Sequence, residues 1–181
     1  GTPKDLLSYA ELPAIHVTVT NPAALAVDSD GNIYVGGRTI AALNPAGKQQ
    51  AASARFENPV TALAVVGAEM VFAACRNEVR ILQRQGDRLE SRGVWATLDE
   101  GAVISSIAAG SGCVVVADSL ARSAWIYNLE GERVGQLRSS DANGFTTPDL
   151  LMDVAIAPDA TIWVANPGRH RLESFDRKGN P

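Results

Sequence analysis

The phrase at residues 24–36, ALAVDSDGNIYVG, constrains the whole chain because it returns three more times. ALAVVGAEMVFAA (62–74), SIAAGSGCVVVA (106–117) and DVAIAPDATIWVA (153–165) share its layout: a run of small apolar residues, a polar turn and a second apolar run. Repetition at a period of a few tens of residues describes an architecture built from one supersecondary unit. With the central alanine as anchor, the copies sit at Ala26, Ala64, Ala108 and Ala155, spaced by 38, 44 and 47 residues. That period suits about four short strands per copy.

Each copy carries three strand signals. The first covers 25–27, 63–66, 107–109 and 154–157, the second 33–35, 70–73, 113–117 and 162–165, and the third 40–43, 79–82, 124–127 and 172–175. Gly31-Asn32, Gly67, Gly110-Ser111-Gly112 and Pro158-Asp159 supply hairpin turns between the first two. A weaker outer strand falls near 50–55, 89–96 and 133–137. Helical periodicity is absent. The reading is all-β, a β-propeller of four blades with about four antiparallel strands each. The anchor alanines fit innermost strands, where blades crowd together. Residues 15–20 (IHVTVT) alternate and predict one more strand.

The chain divides into an N-terminal tail over 1–13 and repeats over 14–181, with copies anchored near 22–48, 59–87, 103–132 and 150–181. The last copy stops after its third strand, so 15–20 is placed to supply a fourth by exchange. Four blades closing a small ring and four blades of a larger ring both fit this phasing.

Composition excludes several function classes. The net charge is −4, with 16 basic residues spread along the chain, so the counterion release of a general nucleic-acid binder has no basic face behind it. No apolar run approaches the ~20 residues of a membrane helix. Gly1 stands where a Met would, which reads as a processed start and favours secretion or a periplasm over the cytoplasm. With two histidines, two cysteines and no CxxC or HExxH, neither a metal site nor a cofactor is expected. Cys75 and Cys113 fall at opposite ends of equivalent strands, roughly 17 Å apart for about five residues, which predicts free thiols. Residues 28–32 (DSDGN) have the look of a calcium loop, but the glycine comes early and the closing Glu is missing. They read as a hairpin turn.

At residues 164–179, VANPGRHRLESFDRKG, the chain resembles the NHL repeat. Trp163-Val164-Ala165 matches that family's second strand, Arg171-Leu172 its Arg-Ile pair, and Phe175-Asp176 with Gly179 its end; Asn166 stands where the family has Asp. The third copy keeps Asp118, Tyr127 and Gly131 but has Ser123 where Arg is usual. The resemblance spans about residues 22–179. It implies a propeller and, from the family's habit of six blades, membership of a larger six-bladed ring.

The candidate site follows from the expected fold. Links between second and third strands share a face with the connections between blades, and each link holds an arginine: Arg38, Arg76, Arg122 and Arg169. With Asn77, Asp118, Asn166 and His170 they form the candidate binding face, where guanidinium groups could grip a carboxylate or phosphate. Local pairing of these arginines is the competing account. The expected function is a non-catalytic NHL-type propeller that binds a protein, a peptide or a small anionic ligand on its loop face. The alternative is a fragment of a six-bladed hydrolase or lyase whose active site needs blades not present. The inner strands offer Asp28 and Asp153 but mostly alanine, and neither His16 nor His170 sits in a catalytic motif. Trp95, Trp125 and Trp163 are expected to pack between blades.

Overall fold

The structure is a computed structural model that describes residues 13–67, 69–141 and 144–181. Residues 1–12 of the expected tail lie outside the described residues. The described residues form strands β1 (Ala24–Val27), β2 (Ile33–Gly36), β3 (Ile40–Leu43), β4 (Gln49–Ser53), β5 (Ala62–Val66), β6 (Met70–Cys75), β7 (Glu78–Gln85) and β8 (Arg88–Thr97). They continue with β9 (Ile104–Gly110), β10 (Cys113–Asp118), β11 (Ser123–Tyr127), β12 (Arg133–Leu137), β13 (Asp153–Ile156), β14 (Ile162–Asn166) and β15 (Arg171–Phe175). A single 3-10 turn, Pro167–Arg169, is the one helical element among the described residues.

Consecutive strands pair antiparallel, so the chain makes three four-stranded meanders, β1–β4, β5–β8 and β9–β12, and a three-stranded one, β13–β15. The first two meanders join through a short parallel contact of β4 with β8, at Ala52 with Arg88 and Ser53 with Leu89. The expected outer strands are present in three meanders, with β8 running the longest.

A repeated turn explains why hairpins form where they do. In each of four turns an Asp or Asn side chain accepts the backbone N–H four residues on: Asn32 to Asp28 at 2.8 Å, Lys48 to Asn44 at 2.9 Å, Glu132 to Asn128 at 2.8 Å, and Asn180 to Asp176 at 2.9 Å. One residue before each donor stands a glycine, Gly31, Gly47, Gly131 or Gly179, with φ between +78° and +90°. Only glycine adopts that backbone without strain, and Asp or Asn bonds its own turn readily. The Asp28 loop is therefore a turn lock. Its carboxylate is occupied by the Asp30 and Asn32 N–H groups, the Asn32 amide and the Tyr34 hydroxyl.

The anchor alanines lie on β1, β5, β9 and β13, the inner strands. Successive inner strands lie side by side, β1 against β5, β5 against β9, and β9 against β13, whereas β13 does not pack back along β1 in this way. Small residues permit that crowding. Between meanders the cores are apolar: Tyr34, Ile40 and Leu63 between the first and second, Phe72, Ile107 and Tyr127 between the second and third, and Val115, Val154 and Phe175 between the third and fourth. Trp95 fills the second of these cores, edge-on to Phe72 at 4.9 Å and tilted against Tyr127 at 5.4 Å.

Two expectations need correction. Residues 15–20 form no ladder and do not complete the fourth meander. The alternation is real, since Val17 and Val19 turn inward onto Val35, Ala41 and Leu43 while His16, Thr18 and Thr20 face solvent. What is missing is a partner edge: the segment lies on the face of the first meander, away from β15. Trp163 is the second correction, because it is exposed on the free face of the last meander while Trp95 and Trp125 are partly buried.

Candidate functional site

The four links between second and third strands and the connections between meanders share one edge. Phe56 and Val60 donate N–H groups to the carbonyls of Arg38 and Gly37, Leu98 to that of Asn77, Ser119 to that of Val103, and Gly168 to that of Thr146. Each link is thereby fastened to an adjoining connection. Arg76, Arg122 and His170 adopt the left-handed backbone region, with φ of +58°, +53° and +52°. Non-glycine residues take that region seldom.

The eight candidates separate by what they touch. Arg38 is half-buried and donates Nη1 to the Glu57 carbonyl, bracing the first link to the following connection. Asn77 does the same for the second, giving its amide hydrogen to the Leu98 carbonyl at 3.1 Å. Asp118 is buried, and its Oδ1 accepts the N–H groups of Val103, Leu120 and Ala121 at 3.1–3.2 Å. Asn166 is fully buried, receiving the Thr146 N–H at 2.9 Å and donating to Glu173 at 2.7 Å. Arg169 pairs with Asp141 at 3.4 Å. Arg76, Arg122 and His170 are exposed, with no side-chain hydrogen bond or ion pair among the described residues.

Glu173 is the buried group that sequence reasoning missed. Its carboxylate receives Asn166, Ser139 Oγ, the Ser140 N–H and the Arg171 guanidinium. Burial pushes its pKa up, but the hydrogen bonds and the Arg171 charge outweigh this and hold it below its ordinary value. The signal lay in strand period: Glu173 and Phe175 fall on one face of β15, and both are buried.

A cleft of about 410 Å³ opens on this edge between residues 54–58 and the β6–β7 link. It takes in Arg76 and Asn77 but none of the other six candidates. Arg55, Asn58 and Phe56 line its other side. Arg80 pairs with Glu78 at 3.0 Å, whereas Arg55 and Arg76 have no ion-pair partner among the described residues. Cys75 also borders the cleft; burial raises its thiol to about 11, so it stays protonated at neutral pH. Both Cys75 and Cys113 are free and buried.

A second cavity, about 290 Å³, is bordered by the ends of all four inner strands and by Thr61, Ser105, Ser106 and Asp153. Its hydroxyls are mutually satisfied. Ser106 Oγ donates to Asp153 Oδ1, Ser105 Oγ to the Met152 carbonyl at 2.6 Å, and Ser119 Oγ to Ser105 Oγ at 2.6 Å. Neither His16 nor His170 borders it. Among the described residues no group of three or more His, Cys, Asp or Glu side chains is placed to hold a metal ion, and no helix is long and apolar enough to cross a membrane.

No curated protein matches the chain. One family profile does, that of the Beta-propeller repeat (SBBP), over residues 17–43. The matched stretch runs from Val17, on the inward-facing segment, through β1, β2 and β3 to Leu43. The match supports a β-propeller repeat over β1–β3, and β5–β8, β9–β12 and β13–β15 repeat the same antiparallel strand order, the last with three strands.

Proposed function

We propose that this chain contributes four NHL-type blades to a propeller larger than four, and that it is a binding module for an anionic group on its loop edge. The ligand class is a phosphate or carboxylate carried by a small molecule, a peptide or a protein surface. One observation carries the reading: Arg55 and Arg76 face a 410 Å³ cleft without ion-pair partners among the described residues, beside the amides of Asn58 and Asn77. Guanidinium groups so placed offer planar, charge-assisted hydrogen bonds to an oxyanion. Arg122, exposed on the same edge, extends the positive rim towards the third link. Arg38, Asn77, Asp118 and Asn166 build the edge that presents it. The NHL reading is supported by Arg171, Phe175 and Asp176, which match that repeat's pattern and hold the last link and turn, while Asn166 departs from it.

Isothermal titration with inorganic phosphate and with citrate tests the reading. Arg55→Ala with Arg76→Ala removes two charge-assisted contacts of about 1.5–3 kcal/mol each, so affinity should fall at least about tenfold. Circular dichroism should be unchanged, because both side chains are exposed. Equal binding by wild type and double variant, or no binding by either, would overturn it.

A further inference from the structure

The three interfaces between meanders use one strand position in three ways, and only the first leaves a gap. Register places Arg80, Trp125 and Glu173 at corresponding points of the third strand, opposite Ala73, Val116 and Val164. Trp125 packs into the apolar core between the second and third meanders. Glu173 accepts Ser139 Oγ and the Ser140 N–H, tying the third connection onto the fourth meander. Arg80 instead turns back along its own strand to Glu78 at 3.0 Å. The connection over residues 54–58 therefore stands off from the second meander, with the 410 Å³ cleft between them.

The outer strands prolong this gap. β4 and β8 run parallel and pair at Ala52 with Arg88 and Ser53 with Leu89, then part. From Glu90 to Thr97 the outer edge of β8 has no strand partner among the described residues. A hollow of about 530 Å³ opens where the strands part, and Ser53, Ala54, Leu89 and Ser91 border both it and the cleft. The two make one continuous groove. Its far wall is braced, because Ser53 Oγ accepts the Ile40 N–H and the Phe56 N–H is bonded to the Arg38 carbonyl. Its floor is apolar, with Leu82 and Leu89 buried at the base and Phe56 half-buried beside them. Arg55 and Arg76 stand at its loop-edge end.

These features describe a slot for a strand. An unpaired strand edge offers backbone N–H and C=O groups to an added chain. On β7, Leu82 lies four residues from Glu78, about 13 Å of extended chain. In an added strand every second side chain faces the floor, so one resting on Leu82 and Leu89 brings the fourth residue along to the arginines. We infer that the groove takes an extended peptide segment of a partner protein, paired along the β8 edge. An apolar side chain of the segment sits on the floor, and an aspartate or glutamate four residues away lies between Arg55 and Arg76. This rests on the anion-binding reading and deepens it by naming what carries the carboxylate.

The test is calorimetric titration of the full chain with the blocked peptide acetyl-Leu-Ser-Val-Ser-Glu-amide and with its reversed sequence, the stronger being carried forward. Blocked ends leave the side chain as the sole carboxylate. Replacing the peptide's glutamate by glutamine should weaken binding at least about tenfold. Arg80→Trp gives the first interface the residue that fills the second, and Ala54→Trp narrows the groove from the opposite wall. Each should weaken binding at least about tenfold, and the second variant covers the case in which the first does not fold. Amides of residues 90–92 should exchange more slowly in the saturated complex. No binding in either direction at about 1 mM peptide would overturn the inference. So would equal binding of the glutamine peptide, binding only when that peptide has a free carboxyl end, or unchanged binding by both tryptophan variants. Inorganic phosphate titrated into the same wild-type sample reads the arginines by themselves. Phosphate binding without peptide binding therefore removes this inference and leaves the anion site standing.

Discussion

Phe72 and Trp163 hold the same place in the repeat, opposite Ala64 and Ala155, yet one is sealed and the other open. Phe72 is covered by Trp95 and the third meander. Trp163 has the same backbone surroundings and no sheet in front of it. The difference shows that the position specifies burial only when a neighbouring meander supplies the other half. Local sequence writes an apolar residue at each such place, and assembly decides whether it is stabilising.

The largest effect should come from turning that comparison into a pair of substitutions. Phe72→Ala empties a closed core position and should cost about 3–5 kcal/mol. Trp163→Ala removes a larger side chain from a half-open face, and should cost about 2 kcal/mol, less than Phe72→Ala. Denaturant melts of the two variants at low protein concentration measure this directly. Equal costs would mean that the two faces are equally covered in solution, and would break the comparison.

A smaller effect is expected at the fourth link. Asn166→Ala leaves the Thr146 N–H and one oxygen of Glu173 without their partner in a buried place, a loss of about 2 kcal/mol. The second link offers the control. Asn77 is half-buried and its connection keeps a backbone bond to it, so Asn77→Ala should cost less. Glu173 adds a pH signature. Its folded pKa is below the ordinary 4.5, so its contribution is fully present above that value and is lost as pH falls through the folded one. Wild type should therefore lose stability on acidification below about pH 5, and Glu173→Gln should flatten that part of the profile. An unchanged profile would show that another carboxylate carries it.

The repeat, the inner alanines and the turns were legible because each is written locally. Small residues recur at one spacing, and Asp or Asn precedes Gly at a fixed distance. The N-terminal segment was half legible: IHVTVT reports alternation, but a strand also needs an edge to pair with, which no local pattern states. Among the site residues, composition marked arginines without showing what each touches. Arg38 became a brace through one carbonyl and Arg169 a pair through Asp141, whereas Arg55 entered the cleft from a connection that the link-by-link reading passed over. Partners separated by tens of residues decide these roles.

The smallest effect sharpens the contrast between local and assembled stability. Asp28 locks a turn with hydrogen bonds from residues within six positions of itself, three inside the turn and one from Tyr34, which the second meander buries. Burial raises its pKa, but the Asn32 amide and N–H, the Asp30 N–H and the Tyr34 hydroxyl together hold it below 3.8. Its contribution is then present above that value and fades only as pH falls through the lower folded one. Asp28→Ala should cost about 1 kcal/mol at neutral pH, the scale of a lost local cap. Denaturant melts of Asp28→Ala at several protein concentrations measure this cost, which should be the same at each. A cost that changed with concentration would show that the turn is braced from outside the chain, and its reading as a locally written lock would fail.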